Sequence, residues 1–309
     1  MVANPSYGTS RWAELGDRIH YLDFGGPSSG PVVVAVHGLG GSALNWLAVA
    51  PLLTGECRLL APDLAGHGLT GTRDRKATVA ANQLLLHSFV EQVAGGPVIL
   101  MGNSMGGMIS LLEAASNPDA VAGLVLLDAA TSSGPTLPDP MVAAMFMVYA
   151  TPWLGRVAMA RRRALPAETA VGTMLRLCCA DPSRVPPEVV AEHVRLARHR
   201  AGLEHAGQDF LQAARSVMRT AAAPAYRAAI RSVAAPALLL HGERDRLVPV
   251  SASRTLARQH LSWRLIVMPG VGHVPQLEAP RETAAAILHW LGTSAPAARA
   301  ATHPLMDRA

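Results

Sequence analysis

The sequence predicts an α/β fold in which a mostly parallel, doubly wound sheet carries a helical cap inserted after its sixth strand. Three observations support this prediction. Short apolar runs such as Val32–Val36 have the length and β-branched composition of strands that are buried on both faces. These runs alternate with helical patterns at the spacing expected of a parallel sheet covered by helices. The alternation stops over residues 131–234 and then resumes.

The predicted elements begin with a hairpin. Arg11–Leu15 and Arg18–Phe24 have the alternating pattern of half-buried strands, and Gly16-Asp17 joins them as a short turn. A connector rich in Gly, Pro and Ser leads to the strand Val32–Val36. The next predicted elements are a helix over 43–53, a strand over 58–61, a helix near 79–93, a strand over 98–101, a helix over 105–116 and a strand over 121–127.

The second half of the chain contains the insertion and the end of the sheet. Residues 131–234 show helical patterns punctuated by prolines and no convincing strand. Strands at 237–241 and 265–268 and helices at 251–260 and 281–291 follow. We therefore expect a core formed by residues 1–130 and 235–292 and a helical cap formed by 131–234. The tail 293–309 is rich in Ala, Pro and Arg and is expected to be disordered.

Composition and charge favour a globular protein without a nucleic-acid partner. The 309 residues are 50% hydrophobic and 16% charged, which is enough apolar material for a sizeable core. The formal net charge is +5, and every basic residue except Lys76 is arginine. The one basic run, Arg161–Arg163, lacks the interleaved aromatics and the recognisable module of a nucleic-acid-binding protein. The arginine-rich insertion is expected to have a solvated surface.

The sequence also favours a cytoplasmic location. No run of eighteen apolar residues occurs without a charge, so no transmembrane segment is expected. The N-terminus lacks the basic start and apolar stretch of a secretory signal. Cys57, Cys178 and Cys179 match neither a disulfide framework nor a metal-binding spacing, and we expect reduced thiols.

The most informative motif surrounds Ser104. The apolar run 98–101 leads into Gly102-Asn-Ser-Met-Gly106, and a helical pattern follows at once. Glycines two positions before and after a serine permit a strand-to-helix turn that is too tight for side chains. Such a turn exposes the serine hydroxyl at the edge of a sheet. The pattern therefore indicates a nucleophile, with a structural serine as the alternative.

Other chemically capable residues also follow predicted strands. His37-Gly-Leu-Gly-Gly41 follows the first core strand, and Asp63-Leu-Ala-Gly-His67-Gly68 follows the next. Asp245 and His273 follow the strands at 237–241 and 265–268. These motifs converge on one sheet edge, where ligands bind in open α/β sheets. Together and in this order they resemble the α/β-hydrolase family, over roughly residues 10–292.

The resemblance and the chemistry imply one set of roles. Ser104 would be the nucleophile and His273 the base that takes its proton. Asp245 would orient the imidazole and stabilise its protonated form. The backbone N–H groups of Leu39 and Met105 would form the oxyanion hole. No metal or cofactor is implied, because neither a zinc-ligand spacing nor a phosphate-binding glycine loop is present in the sequence.

Several alternatives remain open at this stage. Asp128, at the end of the strand over 121–127, is the rival acid, since some relatives place the acid there. His67 and His241 lie near strand ends but are expected to organise loops. His37 is expected to order the glycine loop, and Asp63 is expected to accept backbone hydrogen bonds. Glu113, in mid-helix, is expected to be solvated.

The substrate pocket is predicted on the insertion. Met141, Met145, Phe146 and Tyr149 recur there among apolar residues, and Met side chains adapt readily to varied ligands. Packing between cap helices is the alternative role. We expect a serine hydrolase that cleaves small-molecule carboxylic esters with an apolar portion. A carbon–carbon bond hydrolase of the meta-cleavage type is the second enzyme hypothesis, because the segment 102–107 resembles that subgroup; Val274 and the first glycine loop differ from its pattern. A ligand receptor on the same scaffold is the hypothesis from another class. The sequence carries no signal for an oligomeric state.

Overall fold

A computed structural model describes residues 7–72, 75–131 and 139–301. Its eight strands are β1 Thr9–Glu14, β2 Arg18–Asp23, β3 Val32–Val36, β4 Arg58–Pro62, β5 Val98–Asn103, β6 Val121–Leu127, β7 Ala237–Gly242 and β8 Arg264–Met268. They form one sheet in the order β1-β2-β4-β3-β5-β6-β7-β8. Strand β2 pairs antiparallel with β1 and with β4, and all other pairings are parallel. The prediction of a mostly parallel α/β sheet is confirmed.

Helices cover both faces of this sheet. In chain order they are α1 Ala50–Leu53, α2 Val79–Phe89, α3 Met105–Ser116, α4 Pro140–Ala150, α5 Pro152–Arg163, α6 Ala167–Cys178, α7 Pro187–Ala201, α8 Ala206–Ala222, α9 Pro224–Ser232, α10 Ser251–Gln259, α11 Pro275–Glu278 and α12 Pro280–Ala301. Short 3₁₀ turns at Ala43–Trp46, Pro118–Ala120 and Pro182–Arg184 and a π-helical turn at Val90–Ala94 complete the set. The six helices α4–α9 lie between β6 and β7, where the sequence predicts helices only, and are called the helical insertion below.

The core lies on both sides of the sheet because successive strand residues point to opposite faces. On β3, Val34 and Val36 join one buried cluster with helices α2 and α3, whereas Val33 and Ala35 join a second with α1 and α12. All six residues of β5 are buried. This arrangement explains why the central strands read as continuous apolar runs, and it places the carboxyl ends of β3–β8 along one edge.

Two element predictions are wrong in part. The helix expected over 43–53 is a 3₁₀ turn over Ala43–Trp46 followed by the separate short helix α1. Ser42 caps the first piece and Pro51 lies in the first turn of the second, so each begins with its own signal. The helix expected over 281–291 is α12, which begins at Pro280 and runs to Ala301, into the tail that the sequence predicts to be disordered. The cause is alanine, the best helix former, at five of the last seven positions. Residues 302–309 lie outside the described part.

Helix α4 of the insertion consists of apolar residues and one tyrosine. Among the described residues, no single helix has both the length and the hydropathy needed to cross a membrane. The pair α4 and α5 meets that criterion only when taken together, and its helices are bent by 107° at the break.

Candidate active site

Ser104 occupies a sharp turn between β5 and α3. Its backbone has φ 54° and ψ −115°, a conformation that is costly for a residue with a side chain. The flanking glycines are required by space: a Cβ on Gly106 would lie 2.0 Å from the carbonyl oxygen of Val36, and one on Gly102 would lie 2.6 Å from the backbone of Gly106. The turn is therefore set by close contact between α3 and the sheet.

Hydrogen bonds hold this turn in place. The Ser104 N–H donates to the Leu127 carbonyl of β6 at 3.0 Å, and the Ser104 carbonyl accepts from Met108 and Ala130 at 3.1 and 3.0 Å. The side chain of Ser104 is half-buried and faces a cavity. The surrounding structure thus stabilises the unfavourable φ and leaves the hydroxyl accessible.

His273 and Asp245 form a hydrogen-bonded pair beside this turn. The His273 Nδ1 and Asp245 Oδ2 atoms are 2.7 Å apart. The other oxygen of Asp245 accepts backbone hydrogen bonds from Leu247 at 2.8 Å and Val248 at 3.1 Å. His273 and Ser104 line the same cavity. Although both are described residues, no hydrogen bond joins them, and such bonds in unliganded sites often tighten only when substrate binds.

The rival residues Asp128 and His241 lie behind this pair rather than in the cavity. The imidazole Nε2 of His241 is 3.4 Å from Asp245 and 3.6 Å from Asp128, and its Nδ1 is 2.7 Å from the Ser253 hydroxyl. Asp128 is fully buried and accepts a hydrogen bond from Gly242 N–H at 2.8 Å. The prediction that His241 organises a loop is consistent with its bond to a serine at the start of α10.

The two carboxyl groups titrate in opposite directions. Burial raises the pKa of Asp128 well above its ordinary value. Burial would also raise the pKa of Asp245, but the imidazoles of His273 and His241 hold it below the usual range. These shifts favour a negative charge on Asp245, the carboxyl that contacts His273, over one on Asp128.

Three donor groups at this site come close enough to be considered as metal ligands. One donor atom each of Asp128, Asp245 and His273 lies within 4.8 Å of the others. All three residues already have partners in the protein, and the raised pKa of Asp128 favours a neutral carboxyl. A hydrogen-bonded acid–imidazole group fits these residues better than a metal centre does.

Two backbone N–H groups border the cavity next to Ser104. Met105 is the first residue of α3, and Leu39 follows β3 in the glycine loop. Within the described chain neither N–H donates a backbone hydrogen bond. Gly38 is close to this pair: a Cβ there would lie 3.2 Å from the Ser104 Cβ. These N–H donors lie beside the Ser104 hydroxyl, one of them at the N-terminus of α3, and can stabilise a negative charge that develops there.

His37 and Asp63 hold the loops under the site. His37 Nδ1 donates to the Gly38 carbonyl at 2.8 Å, and its Nε2 accepts from Leu64 N–H at 3.1 Å. Asp63 accepts backbone bonds from Ala43 at 2.7 Å and Leu69 at 2.8 Å and pairs with the imidazole of His20. Burial would raise the pKa of Asp63, but these partners lower it. Both residues therefore do in the structure what the sequence predicts.

His67 lies in the cavity wall but is a poor candidate base. Its Nδ1 pairs with the Ala65 carbonyl at 3.1 Å, and burial lowers its pKa to about 3. An imidazole that resists protonation this strongly is ill suited to accept a proton near neutral pH.

A cavity of about 1040 Å³ lies between the sheet edge and the helical insertion. Met145, Phe146 and Tyr149 of α4 line it, as the pocket prediction requires. The rings of Tyr149 and Phe210 meet edge to face with centroids 5.3 Å apart. The prediction for Met141 is wrong. Met141 is 57% exposed and does not line the cavity, because it lies on the outward side of the first turn of α4, where Val142 points inward instead.

Three residues that the sequence did not single out hold the site together. Asn103 is buried, and its amide donates to the carbonyls of Leu127 at 3.1 Å and His273 at 3.0 Å. Glu278 accepts three backbone hydrogen bonds, from Gly272, Ala180 and Asp181. Arg200 of α7 donates to the carbonyls of Gly66 and Gly68 at 2.6 and 2.8 Å. In the sequence, Asn103 and Glu278 could have been noticed because each is a polar residue within or beside an apolar element.

Glu113 corrects another expectation. It is fully buried, not solvated, and accepts hydrogen bonds from His87 at 2.8 Å and Asn117 at 3.0 Å. His87 belongs to α2, so this pair links α2 to α3 beneath the sheet. The partner is distant in sequence, which is why a local pattern could not reveal it.

A comparison with known families covers most of this architecture. The model of the alpha/beta hydrolase family matches residues 33–286. The chain belongs to the α/β-hydrolase family. The match covers the sheet from β3 onward, the helical insertion and every candidate catalytic residue, and the protein is accordingly a hydrolase.

Relatives within this family differ in their reactions. Over 282 residues the chain is 29% identical to the dihydrolipoyllysine-residue acetyltransferase component of an acetoin-cleaving system from Pseudomonas putida, covering 90% of this chain and 68% of that protein. A pimeloyl-[acyl-carrier protein] methyl ester esterase from Aromatoleum aromaticum is 29% identical over 83% and 96% of the two chains. A 2-hydroxy-6-oxo-6-(2′-aminophenyl)hexa-2,4-dienoic acid hydrolase from Metapseudomonas resinovorans is 28% identical over 93% and 91%.

Proposed function

We propose that this α/β-hydrolase cleaves carboxylic esters with an apolar portion through an acyl-enzyme on Ser104. The observation that carries the proposal is the 2.7 Å contact between His273 and Asp245, beside the cavity that His273 and Ser104 both line. A serine hydroxyl is a weak nucleophile until a neighbouring base takes its proton, and an oriented imidazole supplies that base.

The first half of the reaction acylates the enzyme. His273 Nε2 accepts the Ser104 proton as Oγ bonds to the ester carbonyl carbon, and the carbonyl oxygen becomes an oxyanion. The N–H groups of Leu39 and Met105 donate hydrogen bonds to that oxyanion, each contributing about 3–4 kcal/mol to the transition state. The imidazolium then gives its proton to the leaving alkoxide, which departs as an alcohol.

The second half regenerates the serine. His273 takes a proton from a water molecule, whose oxygen attacks the acyl carbon, and the same two N–H groups hold the second oxyanion. Collapse of this intermediate breaks the bond to Ser104 Oγ, which recovers its proton from His273, and a carboxylic acid leaves. Asp245 stays ionised throughout and stabilises the imidazolium in both halves.

Residues 131–234 serve in this proposal as a cap, on a core formed by 1–130 and 235–292. The apolar portion of the ester would contact Met145, Phe146 and Tyr149, which line the cavity opposite the glycine loop. Phe210 bridges the two sides, since a Cβ on Gly40 would lie 3.0 Å from its ring. The volume of about 1040 Å³ accommodates an extended acyl or alkyl chain.

Replacement of Ser104 by alanine tests the nucleophile. The variant should lose p-nitrophenyl ester hydrolysis and fluorophosphonate labelling, because the acyl-accepting oxygen is absent, while its circular dichroism and melting temperature stay close to those of the wild type. Ser110→Ala is a matched control, since Ser110 lies on α3 and its hydroxyl bonds only to the Gly106 carbonyl. Equal labelling of wild type and Ser104→Ala would refute the assignment.

Carbon–carbon bond hydrolysis is the second candidate. It is favoured by the dienoic acid hydrolase relative, which aligns over 93% of this chain. The same serine and histidine would act on a vinylogous ketone. Rates on a dienone of this class, measured beside p-nitrophenyl esters of graded chain length, distinguish the two functions.

A further inference from the structure

The outward faces of α4 and α5 expose an unusual amount of apolar surface. On α4 the exposed positions are Pro140, Met141, Ala144 and Met147, which share one side of the helix. Met147 is 66% exposed, and Trp153 at the start of α5 is 62% exposed. Helix α4 has no charged side chain at all. A water-facing surface would normally carry charges at such positions.

Helix α5 carries positive charge, and neither α4 nor α5 contains an acidic residue. Residues 140–163 include four arginines and no Asp or Glu; the arginines are Arg156, Arg161, Arg162 and Arg163. Within the described ranges none of the four forms an ion pair. Elsewhere on the insertion, by contrast, Arg198 pairs with Glu168 and Arg195 with Glu192. The apolar face is thus bordered by uncompensated cations.

The mouth of the active-site cavity opens beside this surface. Arg156 and Ala160 of α5 are exposed and also line the cavity, as do Leu165 and Leu203. A residue that satisfies both conditions lies where the cavity meets solvent. The mouth is therefore rimmed by α5 on one side, and around it by apolar side chains together with the charged residues Arg198 and Glu204.

We propose that the exposed face of α4 and α5 docks on a membrane surface rich in anionic phospholipid, with the cavity mouth turned toward the lipid. Apolar side chains with an interfacial tryptophan, flanked by arginines, are the composition of a helix that lies in the headgroup region. Arg162 lies over the ring of Phe210 and Arg163 donates to the Ala201 carbonyl. Arg156 and Arg161, which have no acidic partner among the described residues, favour an anionic bilayer over a neutral apolar partner. The docking does not depend on the proposed chemistry. The inference that lipid-derived esters reach Ser104 from the bilayer rests on the proposed function.

Vesicle flotation tests the apolar part of this surface. The wild type should bind vesicles of mixed phosphatidylglycerol and phosphatidylcholine. Met147→Glu and Trp153→Glu should each lower the partition coefficient about tenfold or more, because a charge would enter the interface. Leu261→Glu is the control: Leu261 is 92% exposed but precedes β8, and its replacement should leave binding unchanged.

A second pair of variants tests the charges. Each arginine near an anionic surface contributes about 1 kcal/mol, or fivefold, so Arg156→Gln with Arg161→Gln should weaken binding about 25-fold. Arg254→Gln with Arg258→Gln, on α10, should have no effect. Binding should also fall with added salt.

The outcomes separate docking from catalysis. Ser104→Ala should bind vesicles as the wild type does, even though it is inactive. Equal binding to pure phosphatidylcholine, or no binding to either vesicle, would overturn the proposal. So would a wild-type dimer in sedimentation that Trp153→Glu converts to monomer without any effect of lipid, because the face would then be a contact between copies.

Discussion

The buried carboxyl groups of Asp245 and Asp128 both lie close to His241, but only Asp245 contacts His273, the proposed base. Asp245 accepts hydrogen bonds from His273 and from two backbone N–H groups, and the imidazoles of His273 and His241 keep its pKa low. Asp128 is raised in pKa by its burial and faces His241 instead. At the scale of single residues, charge state therefore separates the acid from its rival.

Substitution by asparagine should distinguish these two residues. Asp245→Asn should lower kcat for p-nitrophenyl butyrate by about 10⁴, because an amide holds the imidazole in the wrong tautomer. Asp128→Asn should retain most of the activity, since a neutral amide resembles the protonated carboxyl. Steady-state kinetics at neutral pH measures both, and the reverse ranking would assign the acid to the end of β6.

The sequence was informative about single residues where a role depends on local geometry. Ser104, His37 and Asp63 occupy loops directly after strands, so their surroundings follow from the motif. It was uninformative where a partner comes from far along the chain. Glu113 is bonded to His87, and the pKa of Asp128 is raised by burial and by the charge of Asp245; no local pattern contains these partners.

At the scale of elements, the contact between α3 and β3 sets the position of Ser104. Helix α3 approaches the sheet so closely at Gly106 that a Cβ would overlap the Val36 carbonyl. In the sequence this requirement is visible only as a glycine pattern. The pattern predicts the turn at Ser104 but not how closely α3 approaches β3. The predicted single helix over 43–53 shows the same limit, since Pro51 starts a separate short helix within an apparently continuous helical pattern.

Gly106→Ala should destabilise the protein through this contact. The added methyl must push α3 away from β3, and overpacking of this kind costs about 1–3 kcal/mol, or more against rigid backbone. Urea denaturation followed by circular dichroism measures the change. Gly292→Ala on α12 is the matched control, because nothing lies within 4 Å of its Cβ position and alanine is the better helix former. Equal effects of the two substitutions would show that the close approach is unimportant.

At the scale of the whole molecule, the candidate catalytic residues lie on core loops, whereas the large apolar wall of the cavity belongs to the insertion. The division was predictable because the strand–helix alternation stops and resumes. Which side chains face inward was harder to predict, since α4 is apolar on every side and offers no polar stripe to orient it. Met141 illustrates the resulting error.

Met145→Trp should therefore change chain-length preference. The larger side chain fills part of the cavity, so kcat/KM for p-nitrophenyl octanoate should fall more than that for the acetate, by about tenfold or more given about 1–3 kcal/mol per methylene. Met147→Trp adds the same bulk on the exposed face of the same helix and should leave the preference unchanged. If Met145→Trp lowered all esters equally together with the melting temperature, α4 would be packing material rather than a pocket wall.

The hydrogen bonds of Arg200 and Glu278 attach one part of the insertion to the core more firmly than the rest. Near α6 and α7 the insertion shares buried hydrogen bonds with the loops that carry His67 and His273. Helices α4 and α5 pack chiefly against each other and against α8, and the ion pair between Asp139 and Arg246 at the start of α4 is solvent-accessible and weak. We therefore expect local opening of α4 and α5 to cost less free energy than that of α6 and α7 and to leave the proposed base in place. A bulky product can escape past these helices while the catalytic groups stay assembled for the next turnover.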